Sequence, residues 1–142
     1  MYAQLEQLQA ALKTAQGLQA NAQTAVANDN RAITQNTDVL NAIQARIAAV
    51  TAQEATLTTQ IASLSQDSSA DAQMVAAYLE GEFEALQQQE IGLNASEAQY
   101  EQAIADAQAR LPVDQGILDR INVQVNQLTG QIIELTARLP QA

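Results

Sequence analysis

The stretch LNAIQARIAAVTAQEATLTTQIASL, residues 40–64, places apolar residues alternately three and four positions apart. Leu40, Ile43 and Ile47 begin this series, which resumes at Leu57 after a glutamate. Because an α-helix has about 3.6 residues per turn, this spacing aligns the apolar side chains along one face. A seven-residue repeat of this kind, with its apolar positions named a and d, predicts a helix that packs against another helix.

The same repeat runs from Leu5 to Leu64, and a second repeat, one residue out of phase, runs from Ala72 to Leu139. Since the two cover nearly the whole chain, we predict an all-α protein that forms a long coiled-coil helical hairpin or a helical bundle and is oligomeric. The a positions are Leu5, Leu12, Gln19, Val26, Ile33, Leu40, Ile47, Glu54 and Ile61, then Ala76, Phe83, Glu90, Glu97, Ile104, Leu111, Leu118, Val125, Ile132 and Leu139. The d positions are Leu8, Ala15, Ala22, Asp29, Asn36, Ile43, Val50, Leu57 and Leu64, then Leu79, Leu86, Leu93, Tyr100, Ala107, Asp114, Ile121, Leu128 and Leu135.

The composition favours helices and argues against polyanionic partners. The 142 residues are 47% apolar but only 3% aromatic, with 5 Gly and 2 Pro, and alanine and glutamine fill the positions between the core residues. Both are good helix formers. The net charge is −10 and Lys and Arg number only 6, so we expect neither nucleic acid nor an anionic membrane surface as a partner.

The residue inventory argues against an enzyme. The chain has no cysteine and no histidine, which excludes thiolate nucleophiles, imidazole ligands and Ser-His or Cys-His catalysis. Glu54, Glu90 and Glu97 occupy a positions, but they lack the Glu-x-x-His motif of dimetal bundles. We predict polar core layers at these three residues, with no metal site and no cofactor.

The phase change between the repeats falls in a short polar segment, residues 66–71. Short polar side chains favour helix caps over helix interiors, so Ser68 or Ser69 can cap a new helix with Asp71 in its first turn. The alternative is a skip residue within one continuous helix. A turn centred near Ser68 would lay a first arm, 1–65, antiparallel to a second, 72–111, and place Glu54 near Phe83.

A second interruption is predicted at Pro112, which lacks an amide donor and disfavours helix at the residue before it. Asp114 would then cap a terminal helix over residues 114–139. A weaker break is expected around residues 28–30. If both breaks are sharp turns, the chain is a four-helix bundle; if both are kinks, it is a long hairpin.

The segment Ile33-Thr-Gln-Asn36-Thr37-Asp-Val-Leu40 resembles the ion-binding asparagine layer of trimeric stalks, in which the a, d and e positions read Ile or Val, Asn and Thr. Such layers occur in trimeric autotransporter adhesins and some virus fibre stalks. The resemblance implies that Asn36 and Thr37 form a core layer that holds an anion or sets the register of a trimer. It covers one heptad only and lacks the repetition and membrane anchor of those adhesins.

Asp67, Ser68, Ser69 and Asp71 form a cluster of exposed polar residues, which predicts a hairpin tip and a possible docking point. Alanines beside the seam widen the apolar face of the first arm, so more than two helices are expected to meet, with a homotrimer favoured. These alanines are Ala42, Ala45, Ala49, Ala52 and Ala62.

Ala/Gln/Thr/Asn-rich helical repeats with little charge resemble phage virion structural coiled-coil and fibre-like proteins. The sequence therefore suggests a non-enzymatic component of a large assembly, a bacteriophage virion part such as a fibre, a neck or tail appendage, or a capsid-associated helical protein. Its partners would be copies of itself and other structural proteins. The amino terminus lacks the pattern of a signal peptide, so synthesis as a soluble cytoplasmic protein and later incorporation into a virion are expected. The alternative is a cytoplasmic helical-hairpin adaptor or assembly chaperone.

Overall fold

The structure, a computed structural model, describes residues 1–140 and contains two long α-helices. Helix α1 spans Tyr2–Leu64, 63 residues, and helix α2 spans Ala70–Arg138, 69 residues. The described part of the chain contains no strand. The two helices pack against each other as a helical hairpin, which confirms the all-α prediction and the turn between the arms. A continuous helix with a skip residue is excluded.

The chain divides into two compact units, and each contains part of both helices. Unit 1 combines Met1–Ile33 of α1 with α2 from Ala105 onward. Unit 2 is Thr34–Ile104, which includes the turn and the adjoining parts of both helices. In each unit the segment from α1 packs antiparallel against the segment from α2.

The seam between the helices consists of the predicted a and d residues. Every a and d position of both repeats is buried or half-buried, Ala72 among them. Only a few of these residues are buried outright, and Val50 is the one large side chain that is fully enclosed among the described residues. The other buried apolar residues are Ala15, Ala22, Leu57, Ala72 and Ala107. Most of the leucines and isoleucines of the seam therefore remain partly in contact with solvent.

The side chains of two polar residues, Asp67 and Ser69, accept backbone hydrogen bonds in the turn. The backbone N–H of Ser69 donates to Asp67 Oδ1 at 2.9 Å, and the backbone N–H of Ala72 donates to Ser69 Oγ at 3.2 Å. Ser69 also accepts the first helical bond of α2, from Gln73 N at 3.1 Å. Ser69 is therefore the N-cap of α2, and Asp71 lies in the first turn, where a negative charge is favourable.

The register of the two helices differs from the one predicted for a turn centred near Ser68. Glu54 faces Glu90 in place of Phe83, a shift of α2 by seven residues. Leu64, the last residue of α1, and Leu79 of α2 line the same groove. The first nine residues of α2, before Leu79, therefore extend beyond the end of α1. These nine residues span about 13 Å at 1.5 Å per residue. The connection between the helices must therefore advance by about this distance along the helix axis before α2 begins.

The helix breaks predicted inside the arms are absent. Helix α2 continues through Pro112, so residues 114–139 are not a separate helix and Asp114 is not an N-cap. Helix α1 likewise continues through residues 28–30. A proline inside a helix removes one hydrogen bond and costs roughly 3 kcal/mol. Ala107 is buried and Leu118 half-buried on either side of Pro112, and this packing against α1 outweighs the local preference.

Candidate assembly surface and polar layers

Glu54 and Glu90 form a polar layer in the seam of unit 2. The side chains meet across the two helices, and the hydrogen bond between them raises the pKa of Glu54. Burial and the negative charge of Glu90 raise this pKa further. The buried Oε1 of Glu54 has no hydrogen-bond partner. A proton on Glu54 allows its carboxyl group to donate to Glu90 and avoids the repulsion between two negative charges.

A second carboxyl pair, Asp29 and Asp114, lies in the seam of unit 1. The hydrogen bond to Asp29 raises the pKa of Asp114, as do burial and the charge of Asp29, while Arg110 acts in the opposite direction. Arg110 Nε donates to Asp29 Oδ1 over 3.4 Å. Asp29 is only 6% exposed, and its Oδ2 has no hydrogen-bond partner. Arg110 therefore supplies the positive charge that makes this layer tolerable.

This second layer was not predicted as a site from the sequence. Asp29 was assigned to a weak break and Asp114 to an N-cap, although both occupy d positions. The sequence signal that could have indicated this layer is the presence of Asp29 and Asp114 at d positions, with Arg110 four residues before Asp114. A third cross-helix contact in unit 1, Gln19 Nε2 donating to Asn122 Oδ1 at 2.7 Å, joins two further polar residues.

The remaining predicted site residues lie in the seam or at the turn. Asn36 and Thr37 are half-buried in unit 2, and so is Glu97. The anion or register layer at Asn36 and Thr37 stays a prediction, because it concerns contacts between several chains. At the turn, Asp67, Ser68, Ser69 and Asp71 are all exposed, and bonds from the Ser69 backbone and side chain lower the pKa of Asp67.

The two lateral edges of the seam differ in chemistry. In unit 1, the edge that carries the g positions of the heptads, here called the g edge, presents five apolar residues: Ala11, Leu18, Ala25 and Ala32 from α1 and Ile117 from α2. Its other five residues are Gln4 of α1 and Arg110, Gln124, Gln131 and Arg138 of α2. The opposite e edge presents amide and hydroxyl side chains: Gln9, Gln16, Gln23, Asn30, Gln108, Gln115, Asn122, Thr129 and Thr136. The e edge contains only uncharged polar residues, whereas half of the g edge is apolar and both of its arginines are paired within the chain.

An open groove of about 520 Å³ lies on the g edge of unit 1. Leu8 and Leu135 form its floor, and Ala11 and Gln131 are among its walls. The neighbouring ion pair of Arg138 with Glu134 lies on the groove rim, so the two charges offset each other. The groove is a place where seam leucines face solvent between two helices.

The charge of the chain is concentrated in one of the two units. Unit 2 contains ten acidic residues and one basic residue, for a net charge of −9. Unit 1 contains six acidic and five basic residues, for a net charge of −1. Unit 1 can therefore approach another copy of itself with little repulsion, whereas two copies of unit 2 would repel each other.

Within residues 1–140, no cluster of three or more acidic side chains has a geometry that could hold a metal ion. Over the same residues, neither helix offers an apolar stretch that would cross a membrane.

Comparison of the chain with protein-family models, with curated proteins and with solved structures finds no match.

Proposed function

We propose that the protein is a non-enzymatic structural component of a large assembly, specifically a bacteriophage virion part such as a fibre, a neck or tail appendage, or a capsid-associated helical protein. The observation that carries the proposal is the open seam. A two-helix hairpin leaves leucines such as Leu8 and Leu135 in a solvent-filled groove, which further helices of an assembly would cover. In this role the hairpin acts as a coiled-coil spacer and associates with copies of itself and with other structural proteins.

The polar layers suit such a role. Polar residues in a helical seam specify register at a cost in stability, because a shifted pairing would leave them buried against apolar partners. In the observed register, the Asp29–Asp114 and Glu54–Glu90 layers each bring like residues together. A structural part that repeats many times in a particle needs a single register.

Quantitative mass spectrometry of gradient-purified particles, from the phage whose genome encodes the chain, tests this proposal. We expect its peptides at a constant ratio to the major capsid protein through successive purification steps. A non-structural protein of the same phage serves as the control and should be depleted at each step. Depletion of this chain together with that control would contradict a role in the virion.

The second candidate is a cytoplasmic adaptor or assembly chaperone, and the net charge of −9 in unit 2 favours it. An acidic hairpin would bind basic client proteins, with an association that weakens as salt screens the charges. In that case the protein would be found in the lysate bound to a client and would be missing from purified particles.

A further inference from the structure

The g edge of unit 1 presents apolar side chains to solvent beside the seam, whereas the opposite e edge is entirely polar. Leu18 is 49% exposed and Ile117 is 39% exposed, and between them lie the half-buried Ala25 and Ala32. The groove floored by Leu8 continues the same edge. Small residues beside large apolar ones allow another helix to approach closely, since its side chains can enter the spaces above the alanines.

The charges along this edge are already compensated within the chain. Arg110 pairs with Asp29, and Arg138 pairs with Glu134. With a net charge of only −1 in unit 1, a second copy of this unit meets little electrostatic resistance. The same edge in unit 2 carries Glu82 on a groove wall, and the unit as a whole has a net charge of −9.

The exposed area of the chain exceeds that of an ordinary folded monomer. Its accessible surface is 9530 Å² for a mass of 15.2 kDa. A monomer of this mass exposes on average about 7,100 Å². The excess is on the order of 2,400 Å², and a stable interface buries roughly 800 Å² on each partner. This excess, taken over the whole chain, is about three times the area that one partner buries in a stable interface.

We propose that unit 1 of a second copy packs on this g edge, so that the four helical segments of two copies form a bundle. The contact is isologous, each copy contributing the same edge, and the solution species is a dimer in place of the homotrimer favoured from the sequence. This inference rests on the proposed structural role and names the surface through which copies associate. In this dimer the two copies of unit 1, which are nearly neutral, pack together. The two acidic copies of unit 2 remain available to other components of the assembly.

Sedimentation equilibrium tests whether the g edge forms the dimer contact, by comparing the variant Leu18→Glu on the g edge with the control Gln16→Glu on the e edge. Both substitutions add one negative charge to an exposed position of α1, but on opposite edges. We expect the unchanged protein and Gln16→Glu to sediment at twice the 15.2 kDa chain mass, and Leu18→Glu to dissociate at least tenfold more readily. Equal weakening by both variants would overturn the proposal, because it would indicate a general charge effect.

A second pair of variants tests the same edge from α2. Ile117→Glu should weaken the dimer as Leu18→Glu does, while Gln108→Glu on the e edge should not. Circular dichroism should show unchanged helix content in all four variants, since the replaced side chains are exposed. Loss of helix in both edge variants would overturn the proposal by showing that Leu18 and Ile117 pack within their own chain.

The outcomes separate this inference from the proposed function. If the dimer persists in both Leu18→Glu and Ile117→Glu, the g edge is not the interface, but a role in the virion is not contradicted. A trimer, or a single chain at all concentrations up to about 200 μM, overturns the isologous dimer. Recovery in purified particles, measured independently, decides the structural role in each case.

Discussion

The carboxyl group of Glu54 in α1 meets that of Glu90 in α2 across the seam of unit 2, and their hydrogen bond raises the pKa of Glu54 above its ordinary value of 4.5. The pair identifies the register of the hairpin and makes its stability depend on pH. A raised pKa in the folded state means that the native protein holds a proton more tightly than the unfolded chain. The resulting stabilisation is fully present below the unfolded pKa and is lost as the pH rises through the folded pKa.

Replacement of Glu54 by glutamine should remove this pH dependence, because the amide can donate to Glu90 without a titrating proton. We expect the melting temperature of Glu54→Gln to exceed that of the unchanged protein at pH 7 and to approach it near pH 4. Thermal unfolding followed by circular dichroism between pH 4 and pH 8 measures the difference. Glu84→Gln, at an exposed position of α2, is the control for net charge. The same gain in both variants would show that overall charge, and not the Glu54–Glu90 layer, is responsible.

A pair of engineered cysteines tests the register directly, and the chain has no cysteine of its own to interfere. Glu54→Cys combined with Glu90→Cys should form a disulfide within one chain on mild oxidation. Glu54→Cys combined with Phe83→Cys should not, since one heptad corresponds to about 10 Å along a helix and disulfides need Cα atoms within about 7 Å. Excess cysteine-free protein during oxidation suppresses links between chains. Faster crosslinking of the second pair would restore the register predicted from a turn centred at Ser68.

Loss of Arg110 should destabilise unit 1 at neutral pH. Arg110→Gln leaves the Asp29 carboxylate buried without a cation, and removal of one partner from a buried pair costs 3–5 kcal/mol. Because the arginine side chain is 57% exposed and its contact is 3.4 Å long, we expect a smaller loss of about 1 kcal/mol in the free energy of unfolding. Urea unfolding at pH 7 measures this loss of stability, which should shrink in acid as Asp114, whose pKa is raised, becomes protonated. Arg120→Gln is the control, since Arg120 bonds only a carbonyl of its own helix among the contacts described. Equal losses in the two variants would contradict a specific role for Arg110.

The N-cap of α2 provides a prediction for the turn. Ser69→Ala removes the acceptor for the backbone N–H of Ala72 and should lower the free energy of unfolding by about 1 kcal/mol. Ser69→Asp should retain most of the stability, because a carboxylate is also a good N-cap. Ser68→Ala serves as the matched control, since Ser68 is exposed in the same turn. If Ser68→Ala were the more damaging variant in urea unfolding, the cap would lie at Ser68.

Most of the fold could be predicted from the sequence, because a seven-residue repeat identifies the face of each helix that must leave water. Leu57 and Val50 lie in the seam as their spacing requires, and Ser69 caps α2 because its hydroxyl is placed three residues before the N–H of Ala72. The interruption predicted at Pro112 was wrong for a physical reason. Helix propensity describes an isolated segment, whereas the buried Ala107 and its neighbours hold α2 against α1 across the proline.

The sequence by itself determined which residues lie between the helices and where the chain reverses, since both depend on local spacing and on the capping chemistry of short polar side chains. Only the tertiary structure decided the register, because a shift of one heptad leaves every a and d residue in the seam. In the predicted register Asp29 would lie opposite Ala107, and in the observed one it meets Asp114 and Arg110. The path of the turn sets the register of the two helices. It therefore also determines which carboxyl groups are paired in the seam.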